Sequence, residues 1–148
     1  MKAVVQRVKN CQVAVDNTLV SSIGNGLLVL LGVQEEDTEK DADFLVEKII
    51  NLRIFEDETG KMNISLKDVK GELLVVSQFT LLGDCRKGRR PSYIKAAAPE
   101  KANALYEYFI GQAKNLGIVT KSGVFQAMMH VSLINQGPVT LLLDTKEK

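Results

Sequence analysis

The stretch Leu74-Val75-Val76-Ser77-Gln78-Phe79-Thr80 runs from apolar residues straight into a serine, a glutamine, a phenylalanine and a threonine. It reads as a buried strand that ends at Ser77, and the C-terminal ends of such strands commonly line sites. Two readings of these residues stand side by side. Ser77 and Thr80 can satisfy local backbone groups where the strand ends, and spacing alone puts that reading first. Alternatively, the group serves acyl transfer, with backbone N–H groups after Ser77 stabilising an oxyanion and the hydroxyls orienting an ester. Thr80 has no neighbouring general base, so as a nucleophile it would be poor.

Other routes to catalysis are thinly supplied. His130 is the chain's one histidine, so any Ser–His or Cys–His chemistry must use it. It sits in the alternating run Met128-Met129-His130-Val131-Ser132-Leu133, which reads as the polar face of a strand. A metal centre needs several converging His, Cys or carboxylate groups, and Cys11 and Cys85 are isolated; no metal or cofactor is expected. No GxxxxGK[ST] or GxGxxG loop is present, and Gly24-Asn25-Gly26 reads as a turn.

Two further segments invite a functional reading. Arg86-Lys87-Gly88-Arg89-Arg90-Pro91 places four cations in five positions ahead of a proline. Such runs commonly end as solvated surface loops. They also suit phosphate backbones, and the net charge of only +1 makes this cluster a concentration rather than part of a general excess. Asn135-Gln136-Gly137-Pro138 reads as a turn between two strands. A Gly-Pro bond can also be cis, which would aim its carbonyls in an uncommon direction.

The elements that must position these groups follow from the hydrophobic pattern. Ala3 to Val8 and Gln12 to Val15 read as two strands. Asp16-Asn17 is a turn signal leading into Thr18 to Ile23. Leu27 to Val33 is apolar enough to be buried on both faces. Thr38 caps a helix over 39–52 whose apolar side carries Phe44, Leu45, Lys48, Ile49 and Leu52. Glu56 to Lys61 reads as a loop, Glu72 to Val76 as a buried strand, and Gly83 to Ser92 as a loop. Pro99 starts a second helix and Gly117 follows its end, with Ala102, Leu105, Phe109, Ala113 and Leu116 facing inward. Met128 to Ile134 and Val139 to Leu143 are the last strands. The order predicts an α/β fold, a single domain over 1–148, with a largely antiparallel sheet or small barrel and two main helices packed outside. The 148 residues, 45% hydrophobic and 25% charged, suffice for a core without disulfides. The cysteine usage, the early polar residues and the short apolar runs predict a cytoplasmic protein with no membrane association.

Taken together, the two motifs are more specific than either alone. Ser77-Gln78-Phe79-Thr80-Leu81 resembles the SQFTL signature of the D-aminoacyl-tRNA deacylase (D-tyrosyl-tRNA deacylase) family, and Asn135-Gln136-Gly137-Pro138-Val139-Thr140 resembles its second signature. Gln6-Arg7-Val8, Arg86 to Ser92 and Leu105-Tyr106 are also similar to the family, and the resemblance runs along the whole chain. It implies hydrolysis of D-aminoacyl-tRNA in a homodimer with composite active sites. The Ser77–Thr80 strand end of one subunit would face Gly137-Pro138 of the other. The Gly-Pro bond would be cis and its carbonyls would exclude an L side chain. Arg7 would support that turn, while Phe125 and Met129 would line the terminal adenosine's pocket. An aminoacyl ester is already activated, so positioning and oxyanion stabilisation by the Phe79 and Thr80 N–H groups suffice without a triad. Arg86, Lys87, Arg89 and Arg90 would then contact the tRNA backbone.

Three positions depart from the family pattern. Gln136 stands where an acidic residue is usual, and Gln126 and Met128 replace an expected glycine and aspartate. Competing readings are a non-catalytic RNA-binding module and an editing deacylase acting on an L-amino acid or glycine. The Gly-Pro turn speaks against L substrates but does not exclude glycine.

Overall fold

Alternate residues of two neighbouring apolar strands feed two different cores, and this arrangement organises the molecule. The computed structural model describes residues 1–147. Strand β1 (Lys2–Val15) forms a tight hairpin with β2 (Thr18–Ile23), and β3 (Gly26–Gly32) follows. Helix α1 (Glu39–Asn51), a small hairpin of β4 (Phe55–Glu56) and β5 (Met62–Ile64), and strand β6 (Glu72–Ser77) come next. One turn of 3₁₀-helix (Phe79–Leu82) leads towards α2 (Pro99–Asn115), β7 (Thr120–Ser122) and β8 (His130–Asp144). Leu27, Val29 and Leu31 of β3, with Leu73 and Val75 of β6, pack against α1 and α2 in the larger core. Leu28, Leu74 and Val76 point the other way, into a smaller core with Val8, Cys11 and Val13. Burial on both faces explains why the two strands lack a polar alternation.

The sheet is mixed. β1 pairs antiparallel with β2, β3 and β8, whereas β3–β6 and β6–β7 are parallel. The Ser21 hydroxyl donates to the Ser122 carbonyl at 2.8 Å and Lys121 Nζ donates to the Ser22 carbonyl at 2.6 Å, drawing β2 and β7 together into a nearly closed barrel. The single α/β domain with two helices agrees with expectation. The parallel pairs arise because α1 and α2 carry the chain back across the sheet between strands.

Several boundaries differ from the sequence reading. The two expected N-terminal strands are one, and so are the last two, because long strands absorb irregularities as bulges instead of ending. Glu56 pairs in a hairpin, with the following loop as its tip. Helix α1 buries Ala42, Leu45, Val46, Ile49 and Ile50, so its inner face is rotated away from exposed Phe44. Leu116 lies outside α2's buried face. Thr38 does begin α1, in a capping box with Asp41.

The two ends of β1 and β8 are tied by a buried ion pair. The Met1 α-amine donates to Asp37 Oδ1 at 2.6 Å and to Thr145 Oγ1 at 2.7 Å, while Asp37 Oδ2 accepts from the Gln34 N–H at 2.7 Å. Both members of the pair are fully buried, and the extra hydrogen bonds offset the cost of removing them from water.

Candidate active site

β6 carries Ser77 to the end of the sheet, where the Gln78 N–H donates to the Leu31 carbonyl at 2.8 Å and fixes the exit of the chain. The 3₁₀ turn begins at once. The first N–H groups of a helix have no partner within it, and in this turn they belong to Phe79 and Thr80; the Leu81 N–H already donates to the Gln78 carbonyl. Gln78 Nε2 donates to Thr80 Oγ1, so the threonine hydroxyl is engaged by an amide rather than a base.

Ser77, Gln78 and Phe79 line a pocket of about 770 Å³ together with Phe125 and Met129. Its far wall is the segment from Tyr93 to Pro99 and the first turn of α2, where Ala96, Ala97, Ala98 and Ala102 leave room because their side chains are small. Met129 reaches the pocket by lying over Gly123, where an added β-carbon would meet its sulfur at 2.5 Å. Gln126 also lines the pocket and holds a φ of +63°. That left-handed conformation suits glycine, which accounts for the glycine expected at this position. Met128 points away and is 82% exposed.

Tyr106 is a supporting residue that the sequence reading named only as part of a resemblance. It is buried on α2, its hydroxyl donates to the Val75 carbonyl at 2.9 Å, and its ring lies 6.0 Å from that of Phe125. It therefore braces both the strand that ends at Ser77 and the opposite pocket wall. Burial pushes its phenol up to about 12. A buried tyrosine two turns from a helix start is the only sequence signal for such a role.

Arg7 and Gly137 stand elsewhere. Along the β1–β8 ladder, Gln6 faces Thr140 and Val8 faces Asn135, so the segment from Gln136 to Val139 bulges out opposite Arg7 alone. Arg7 is buried beneath it. Its Nε donates to the Gln136 carbonyl at 3.1 Å, its Nη1 to the Ile54 carbonyl at 2.6 Å, and its Nη2 lies 3.9 Å from Glu56. Asn135 Nδ2 closes the excursion by donating to the Arg7 carbonyl at 2.9 Å and the Val139 carbonyl at 3.0 Å. Gly137 has a φ of +110°, and an added β-carbon would press into the Arg7 guanidinium. The Gly137–Pro138 bond is trans, which corrects the expected cis bond. Glycine's freedom at positive φ turns the chain here, so the bulge closes with the lower-energy isomer. Arg7, Gln136 and Gly137 line a separate hollow of about 350 Å³ that shares no residue with the Ser77 pocket.

The cation run forms a loop closed at its base, where Asp84 and Ser92 exchange backbone hydrogen bonds of 2.8 and 3.0 Å. Arg86 makes a two-pronged contact with Asp84, at 2.8 and 2.5 Å, and these hydrogen bonds hold the Asp84 carboxyl well below the usual carboxylate range. Lys87, Arg89 and Arg90 are exposed and form no ion pair among the described residues. His130 is exposed at the start of β8, outside the Ser77 pocket. Burial pushes the Cys11 thiol up to about 11, which suppresses its thiolate. No cluster of three His, Cys, Asp or Glu that could hold a metal exists among the described residues, and no helix there is long and apolar enough to cross a membrane.

Comparison with known proteins gives these features a family. The model for D-Tyr-tRNA(Tyr) deacylase matches residues 4–144. The chain is 64% identical over 146 residues to a D-aminoacyl-tRNA deacylase of Syntrophus aciditrophicus, covering 99% of this chain and 98% of that protein. A solved structure described as "c-Myc DNA Unwinding Element Binding Protein" superposes with a TM-score of 0.93 at 44% identity, over 98% of this chain and 99% of that one. The structure of a probable eukaryotic D-amino acid tRNA deacylase shares the fold, with a TM-score of 0.84 at 18% identity over 96% of this chain and 97% of that one. With a family model spanning nearly the whole chain and a relative this similar from end to end, the chain belongs to the D-aminoacyl-tRNA deacylase family.

Proposed function

We propose that this chain hydrolyses the ester joining a D-amino acid to the terminal adenosine of tRNA, in a site completed by a second copy of itself. The observation that carries the reading is the pocket that gathers Ser77, Gln78, Phe79, Phe125 and Met129 beside the head of a 3₁₀ turn. Phe125 and Met129 take the adenosine, and the ester carbonyl faces the Phe79 and Thr80 N–H groups. Water adds to the carbonyl carbon with help from the ribose 2′-OH, and those donors stabilise the negative oxygen. The ester C–O bond then breaks, the ribose oxygen takes a proton, and the amino acid leaves as the free acid. Ser77 and the Gln78–Thr80 pair orient the ester.

The chiral screen is the Gly137–Pro138 main chain, held by Arg7. Because Gly137 lies outside the Ser77 pocket of its own chain, the screen is supplied by the partner copy. A rigid backbone excludes an L side chain by contact. Glycine has no side chain to exclude and is cleared as well. Lys87, Arg89 and Arg90 contact the tRNA backbone, with Arg86 shaping the loop through Asp84.

The test is release of free amino acid from matched D-, L- and glycyl-tRNAs. Release from the D and glycyl esters is expected; equal release from the L ester would remove the screen. A further check mixes a variant damaged at Ser77–Thr80 with one damaged at Gly137-Pro138, and exchanged dimers should regain about one working site. Nucleic-acid binding without catalysis is the second reading, favoured by the exposed cations and by the 44%-identical structure, which is described as a DNA unwinding element binding protein. It predicts salt-dependent RNA binding with every ester left intact.

A further inference from the structure

Phe79 and Tyr93 are an unusual pair for this chain. Phe55, Tyr106 and Phe109 are buried in the core, whereas Phe79 is 55% exposed and Tyr93 37%. Their rings nevertheless touch edge to face, with centroids 5.0 Å apart and planes 62° from parallel. Both line the rim of the Ser77 pocket. Both are also braced by the same short turn. Phe79 opens the 3₁₀ turn and Gly83 caps its end, with Tyr93 lying so close over Gly83 that an added β-carbon would sit 3.0 Å from the tyrosine ring. The closed base of the cation loop, Asp84 with Ser92, delivers Tyr93 directly to this position.

We propose that Phe79 and Tyr93 form a stacking platform for the nucleobase that precedes the terminal adenosine, so that the single-stranded end of the substrate is gripped at two successive bases. The inference rests on the deacylase reading above and adds a second subsite to it. A single strand leaving the pocket must cross its rim, where Tyr93 follows the loop that carries the exposed Lys87, Arg89 and Arg90 and stands two residues before the exposed Lys95. Aromatic faces beside cations are the usual means of holding unpaired nucleotides, with the ring taking the base and the cations the phosphates. Because every base has a π-face, the platform tolerates sequence. The prior bracing of the rings means that little side-chain freedom is lost on binding.

The experiment compares the D-aminoacyl ester of adenosine with that of cytidylyl-(3′,5′)-adenosine, measuring kcat/KM for each with the wild type, Tyr93→Phe, Tyr93→Leu and Tyr93→Trp. The wild type should prefer the dinucleotide ester, and Tyr93→Phe should keep that preference. Tyr93→Leu, which preserves apolar contact with Phe79 but has no π-face, should lower the preference by about tenfold or more. Tyr93→Trp should raise it, which keeps the proposal testable if the leucine variant does not fold. An unchanged preference in the leucine and tryptophan variants would overturn the platform. So would an equal loss on both esters, because Tyr93 would then merely support Phe79. Should the wild type leave both small esters and D-aminoacyl-tRNA intact, the deacylase reading itself fails and the platform with it.

Discussion

The Ser77 pocket and the Gly137 excursion contrast in how they are built. The pocket is open, walled by small residues of the Tyr93–Ala102 region, and lies beside the head of a helical turn. The excursion presents main chain, and a buried guanidinium beneath it ties the Gln136 and Ile54 carbonyls together. If the proposed function holds, one region admits a substrate and stabilises a charge that develops briefly, and the other must not yield. On the proposed reading, catalysis by main-chain donors should tolerate side-chain change, whereas chiral discrimination should depend on rigidity.

That contrast can be broken most sharply at Arg7. Arg7→Ala leaves two carbonyls without their donor and frees the excursion. A stability loss of about 3 kcal/mol is expected in urea titrations, together with a fall of about 10² in D-over-L preference. If discrimination survived while stability fell, the excursion would not be the screen.

Thr80→Ala and Ser77→Ala probe the opposite region. Each should slow D-ester hydrolysis by less than about 10³-fold, within the range for one lost stabilising group and far short of the roughly 10⁶-fold expected for an essential nucleophile. D-over-L preference should stay unchanged in both. A trapped acyl-Thr80 adduct would replace water attack with covalent catalysis.

A smaller effect is expected from Arg89→Ala with Arg90→Ala. Binding to many tRNAs should weaken alike, and the salt dependence should flatten by up to about two phosphate contacts. Discrimination at Gly137 should be untouched. Titration of tRNA affinity across salt concentrations decides this, and an unaltered slope would leave the loop as solvated surface.

The smallest effect concerns the pocket wall. Gln126→Gly should stabilise the chain by about 0.5–1 kcal/mol, because relief of the left-handed strain is partly offset by the freedom of glycine in the unfolded chain. A lower melting temperature in this variant would mean that the Gln126 side chain contributes more to the wall than its backbone costs.

The chemistry-bearing segments were legible in the sequence because their signals are local. An apolar run ending in Ser77-Gln78-Phe79-Thr80, a Gly-Pro pair and a cation cluster each declare themselves within a few residues. So did the hairpin at Asp16-Asn17, where both residues have positive φ as a two-residue turn requires. Tertiary structure decided what depended on distant partners. Arg7 could be named from resemblance, but its burial under Gln136 and contact with Ile54 exist only once β1, β8 and the β4–β5 region meet. The continuity of β8 through Gly137-Pro138 was hidden because local turn chemistry looks the same whether it ends a strand or bulges from one. The trans bond was hidden because a Gly-Pro pair in sequence permits either isomer. Hydrophobic periodicity thus determined the elements and their approximate faces. Only packing determined that Ser77 and Gly137, though both belong to recognisable motifs, open onto different hollows of the same chain.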